Sequence, residues 1–260
     1  MMKNLKIEWL KIRSYRTFWV LTVLFVLCLT GLNYIVYQIK AANNMKQVTL
    51  MIGNPFSFPD VWQTVTYVSG FLLFLPGLIL LILVTNEYNF KTHRQNIIDG
   101  MSRFDFATSK ILMAVIASVI VTVLSAIVAV TIGSISGSTG FTTDKTVYLL
   151  YFLLQAFTYS IVGLLLGFLF KRSGLAIALY FIYLFFIKNI ISALLDHYFS
   201  NTGEYIPVKS ADALIPFPVF QNITTRMFTA PSVAVLLIST LVYLAAFYYI
   251  IIKKFTTEDL

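Results

Sequence analysis

The chain has 260 residues, 58% of them hydrophobic and only 12% charged, with a mean hydropathy of +0.83 and a net charge of +8. A soluble domain carries about 25% charged residues to meet water, so most of this surface meets lipid instead. The basic excess does not call for nucleic acid, since basic residues flanking membrane spans produce it equally well, and the single cysteine, Cys28, excludes an internal disulfide.

Residues 1–17 read as an N-terminal interfacial helix. Leu5, Trp9 and Ile12 recur at i, i+4 and i+7, with Lys6, Arg13 and Arg16 beside them. Such a helix lies along the inner membrane surface with its cations toward the headgroups. Residues 18–260 read as one transmembrane domain. A helical span needs about 20 apolar residues. Six segments qualify: Phe18–Ile39, Val61–Thr85, Arg103–Ile132, Thr146–Phe170, Gly174–Leu195 and Val233–Ile252. The first is longer than the apolar core of a signal peptide and follows Glu8, so it is expected to be retained. Pro76-Gly77 predicts a kink in the second, and Gly163-x-x-x-Gly167 a close helix contact in the fourth. The fold class expected is therefore all-α, with six transmembrane helices.

Thirteen Lys and Arg residues fall on the side holding both termini, the second–third loop and the fourth–fifth turn, against five on the other. The positive-inside rule then places both termini in the cytoplasm of a multi-pass protein of the cell membrane, with a bacterial cytoplasmic membrane the best fit. The longest outer segment, Asp196 to Ser232, mixes four prolines with apolar residues. It suits either short helices re-entering the outer leaflet between spans five and six, or a folded loop resting on the membrane.

The cytoplasmic loop between spans two and three is the most informative stretch. Thr92-x-x-Gln95 reads as a capping box, Gly100 as a left-handed helix stop, and Ser102-x-x-Asp105 as a second capping box opening span three. A two-turn helix held between two caps follows, running parallel to the membrane. Ile97, Ile98 and Met101 could fill a pocket in a partner, with Arg94 and Arg103 meeting acidic groups at its rim.

Here the chain resembles the permease subunits of type-2 ATP-binding-cassette (ABC) exporters. These carry an acid at the end of span two, then Gly-Thr and Arg, then Gly, a Ser-Arg pair and a Lys at the start of span three. Glu87 matches the acid, Thr92 and Arg94 the Thr and Arg, Gly100 the Gly, Ser102-Arg103 the pair, and Lys110 the Lys. Lys91 departs from the pattern, standing where Gly is usual. The resemblance implies that two permeases assemble with two ATPase subunits. The partner subunits would bind ATP and magnesium, grip the helix between spans two and three as a coupling helix, and drive a substrate along a path between the permeases; the aromatic content of 16% fits an apolar or amphipathic one.

Other chemistry is sparse. There is no phosphate-cradling G-x-x-x-x-G-K-[ST] and no H-E-x-x-H, and no span holds an interior carboxylate. An enzyme, a metal centre and a bound cofactor are therefore not expected. A secondary transporter or channel is the alternative, disfavoured because ion coupling generally needs intramembrane acids. Lys188 is the one charge deep inside a span. It lies about 21 Å from the inner end at 1.5 Å per residue. Either it snorkels outward, toward the headgroups or Asp196, or it lines the substrate path.

Overall fold

The computed structural model describes residues 2–42, 54–136, 140–199, 202–218 and 232–257, and the described residues form helices joined by turns. In chain order these are α1 (Met2–Arg13), α2 (Arg16–Ala42), α3 (Val61–Gly70), α4 (Phe74–Asn89), α5 (Thr92–Ile98), α6 (Arg103–Ser136), α7 (Val147–Phe170), α8 (Ser173–Ile182), a wide π-turn (Tyr183–Ile187), α9 (Lys188–Tyr198), α10 (Lys209–Ala213) and α11 (Val233–Thr257). Five continuous stretches are long and apolar enough to cross a membrane. The pair α3 and α4, bent by 43°, makes a sixth when counted as one span. Two of the five outer cations, Lys46 and Arg226, and residues 219–231 of the outer segment expected to re-enter or rest on the membrane, lie outside the described residues.

α7 is the hub. In its most apolar window 56% of residues are buried within the protein, against 17% for α2 and for the α8–α9 span. It packs on α4, α6, α8, α11 and α3. The tightest crossing is with α4, where small residues allow backbone to meet backbone. A Cβ on Gly163 would run into the Gly77 carbonyl, and one on Gly77 would lie 2.6 Å from the Tyr159 carbonyl. Gly167 continues the seam against Leu81 and Val84. The Gly163-x-x-x-Gly167 motif is thus an intramolecular contact, and Gly77 is a packing point rather than a hinge.

The bend in the second span falls at Phe71–Leu73, the turn just before Pro76-Gly77, as expected of a proline, whose ring crowds the carbonyl four residues back, that of Leu72. There the amides of Leu72, Leu73 and Leu75 bond the carbonyls three residues back, at 3.0, 3.2 and 3.0 Å, tightening the chain. Pro76 then sits in the first turn of α4, where its missing N–H leaves no bond unmade. Tyr180, fully buried, donates from its hydroxyl to the Phe74 carbonyl at 3.2 Å and braces the bend from α8.

The π-turn before α9 has a geometric cause. The buried positions of this span are Ala176, Tyr180, Leu184, Lys188 and Ser192, always four apart. At 3.6 residues per turn a four-residue step overshoots by about 40°, so the stripe would wind off the bundle. One wide turn absorbs the drift and keeps Lys188 and Ser192 facing inward.

Candidate functional site

Two polar sites stand out, at opposite ends of the bundle. The first gathers α1, α5 and the adjoining ends of α4 and α6. The turn into α5 is made by Lys91, held in the left-handed region at φ 57°. That is the position where the resemblance expects Gly, and it explains why Gly is favoured there. Thr92 is the first helical residue and not the cap. Its hydroxyl reaches the Glu87 carbonyl at 3.5 Å, while Gln95 donates to Asp99 at 2.9 Å, so the first expected capping box does not form. A backbone device replaces it: the Lys91 carbonyl accepts from the Arg94 amide at 3.1 Å. His93, buried and tilted against the Tyr88 ring, places Nδ1 3.0 Å from the Glu87 carbonyl, to which a proton on Nδ1 is donated.

The far end of α5 closes as its sequence indicates. Gly100 has φ 96°, its amide bonds the Ile97 carbonyl, and the Met101 amide bonds the Asn96 carbonyl, both at 3.0 Å. Ser102 then caps α6. Its hydroxyl accepts from the Asp105 amide at 3.0 Å and donates to the Asp105 carboxylate at 2.7 Å. Arg103 turns toward the bundle and donates to the Thr256 carbonyl at 3.1 Å, binding the last turn of α11. Ile97 and Met101 are half-buried against the core. Arg94 and Ile98 project outward, Ile98 with 75% exposure, beside Phe90 and Phe104, which are also exposed.

Beneath α5 lies a buried ionic cluster. The Lys110 ammonium, 1% exposed, contacts Glu8 of α1 and lies 2.5 Å from Glu87 of α4. Lys11 adds contacts of 3.3 Å to Glu8 and 3.2 Å to Glu87. Two acids and two bases are thus neutralised together, as burial of charge demands. The pairing also sets the face that α1 turns inward. Glu8 and Ile12 are buried while Trp9 is exposed, so of the stripe read from the sequence Ile12 packs inward and Trp9 does not.

A family model described as ABC-2 family transporter protein matches residues 4–187. The chain belongs to this family. It is therefore a membrane transport subunit, a multi-pass ABC-type permease with no catalytic role of its own. A search of curated proteins finds no match. Within this ABC-2 permease, the matched region contains every residue of the ionic cluster and the whole of α5. Glu87 and Lys110, read as separate motif positions, meet each other. Glu8 carried no motif signal. An acid on an otherwise basic interfacial helix was the only hint of it.

The second site lies toward the opposite end and straddles the edge of the matched region, with Gln155 and Tyr159 inside it and Lys188 and Asp212 beyond it. Lys188 is buried and does not snorkel. It donates to the Asp212 carboxylate at 2.6 Å and to the Tyr159 hydroxyl at 3.0 Å. Asp196 is not its partner, accepting instead from the Gly203 amide at 2.8 Å. Asp212 sits on α10, which packs against α7 and α11, and its other oxygen accepts from Gln155 at 2.9 Å and Tyr159 at 3.0 Å. These groups border a cleft of about 430 Å³ whose apolar walls include Phe71, Phe74 and Phe185. Sequence reasoning missed Asp212 because it lies outside every span. The demand that a buried ammonium find a carboxylate was the available signal.

Proposed function

We propose that the chain is the membrane-spanning half of an ATP-driven exporter, with α5 as the coupling helix gripped by a separate ABC ATPase subunit. The observation that carries this reading is a short rod fixed at both ends and left bare on its outer face. Lys91 and Gly100 set its two turns, His93 ties it to α4, and Arg94 and Ile98 point away from the bundle. Phe90 and Phe104 widen the apolar patch. Nucleotide and magnesium belong to the partner. Lys and Arg asymmetry supports a cytoplasmic position for α5 and both termini, in a bacterial cytoplasmic membrane. Two permeases and two ATPases complete the assembly, and the path runs between the permeases.

In this mechanism closure of the ATPase pair pushes α5. The ionic cluster carries the push into α1, α4 and α6 together, because Lys110 and Lys11 bridge their acids. Glu87 thus acts by holding the coupling helix in register with the bundle, and Arg103 by fastening α11 to it.

Affinity purification of the chain from its native membrane should recover an ABC ATPase. Arg94→Glu and Ile98→Asp should each lower that recovery about fivefold or more, the loss expected of an interface residue worth about 1 kcal/mol. Unchanged recovery with both variants at normal permease levels removes α5 as the docking element.

A further inference from the structure

We infer that Lys188, Gln155 and Tyr159 form a receptor for the oxyanion head of an amphipathic ligand, a receptor that the chain's own Asp212 occupies at rest. Three donors converge on one carboxylate: Lys188 Nζ at 2.6 Å, Gln155 Nε2 at 2.9 Å and the Tyr159 hydroxyl at 3.0 Å. All three residues are more than nine-tenths buried and come from membrane helices of the bundle. Gln155 keeps its Nε2 aimed at the carboxylate although its own Oε1 is buried without a partner among the described residues. An amide oriented at that cost serves an anion.

The sign of the ligand follows from which partner can leave. Lys188 belongs to a membrane-crossing helix of the bundle and is held in place by it. Asp212 belongs to the five-residue α10 of the outer segment, and a quarter of its side chain is already exposed. A cation competing for Asp212 would strand Lys188 as an uncompensated buried charge, an arrangement strongly disfavoured. An anion competing for Lys188 inherits all three donors and releases Asp212 to solvent. The backbone before α10 favours release. Val208, buried and β-branched, is held at φ 70°, ψ −45°, a strained conformation for such a residue. The adjoining cleft, walled by Phe71, Phe74 and Phe185, takes the apolar body. The ligand class is thus a carboxylate or phosphate on an apolar tail, and its arrival unseats α10. This adds a substrate class to the export reading and rests on that reading only for where the ligand goes next.

The test uses the full chain in phosphatidylcholine nanodiscs without ATPase, so it stands whether or not coupling through α5 holds. Cys28→Ser with Ala211→Cys puts a reporter on α10, where Ala211 is fully buried. Dodecyl phosphate should raise the labelling rate by a membrane-impermeant maleimide about tenfold, and dodecyltrimethylammonium should not. In the same background Asp212→Asn removes the competing charge and should lower the half-maximal dodecyl phosphate concentration about tenfold, while Lys188→Met should abolish the response. Discs containing phosphatidylglycerol separate the sources. Labelling raised by that lipid alone makes the ligand a resident phospholipid, and labelling raised only by dodecyl phosphate makes it a free amphiphile. Equal responses to anion and cation, or an unshifted half-maximal concentration in Asp212→Asn, overturn the assignment, and the latter result decides even if Lys188→Met does not fold.

Discussion

Lys91 carries a lysine side chain in a conformation that glycine adopts freely. The left-handed region costs an L-residue about 1–2 kcal/mol, and glycine's extra freedom in the unfolded chain returns part of that. Lys91→Gly should therefore be neutral or stabilising by up to about 1 kcal/mol, whereas Lys91→Val should destabilise by about 1–2 kcal/mol or more, since β-branching worsens the strain. Thermal unfolding in detergent reads both, and equal effects of the two would show that φ is not what limits this turn. The same residue explains the missing capping box. With Lys91 making the turn through its backbone, Thr92 is already helical and its hydroxyl is no longer placed to cap. Sequence spacing alone could not choose between a side-chain cap and a backbone turn, because Thr92-x-x-Gln95 satisfies the pattern either way. Ser102-x-x-Asp105 was legible because the left-handed Gly100 fixes where the preceding helix ends.

Among the elements, the closest approach of α4 to α7 falls at Gly77 and Gly163. A methyl group at Gly163 must push two backbones apart, so Gly163→Ala should cost about 1–3 kcal/mol, the usual range for overpacking a tight site. Gly31→Ala on α2, where a Cβ meets nothing within 4 Å, is the matched control and should not destabilise. Comparable effects at both positions would show that the crossing does not govern, since the better helix preference of Ala favours the substitution at each. The spans themselves were readable from length and apolarity. The bend was legible too, since Pro76 acts on the carbonyl of Leu72 one turn earlier, whereas its bracing by Tyr180 was not. The π-turn was hidden, although the four-residue spacing of Ala176, Tyr180, Leu184 and Lys188 is visible once the buried face is known.

Across the whole molecule, long-range charge pairing joins what sequence keeps apart. Glu8 and Lys110 are 102 positions distant, and Lys188 finds Asp212 across 24. Each residue was readable as an oddity, an acid among bases or a cation among apolar groups, but no local pattern names the partner. The inner cluster should behave as one unit. Lys110→Met leaves Glu8 and Glu87 facing only Lys11 and should cost about 3–5 kcal/mol, as breaking buried pairs does. Adding Glu8→Gln removes one stranded carboxylate, so the double variant should be more stable than the sum of the single losses predicts, by about 1 kcal/mol or more. Additive losses in unfolding measurements would mean that α1 is not held through Lys110.

α4 begins at Phe74, a wall of the outer cleft, and ends at Asn89, next to the turn that launches α5. One unbroken cylinder of about 24 Å at 1.5 Å per residue therefore spans the distance between them. In the proposed mechanism it works as a crank: a twist applied at the α5 knuckle arrives as a rotated aromatic ring beside the proposed anion receptor, with no relay of intervening side chains required.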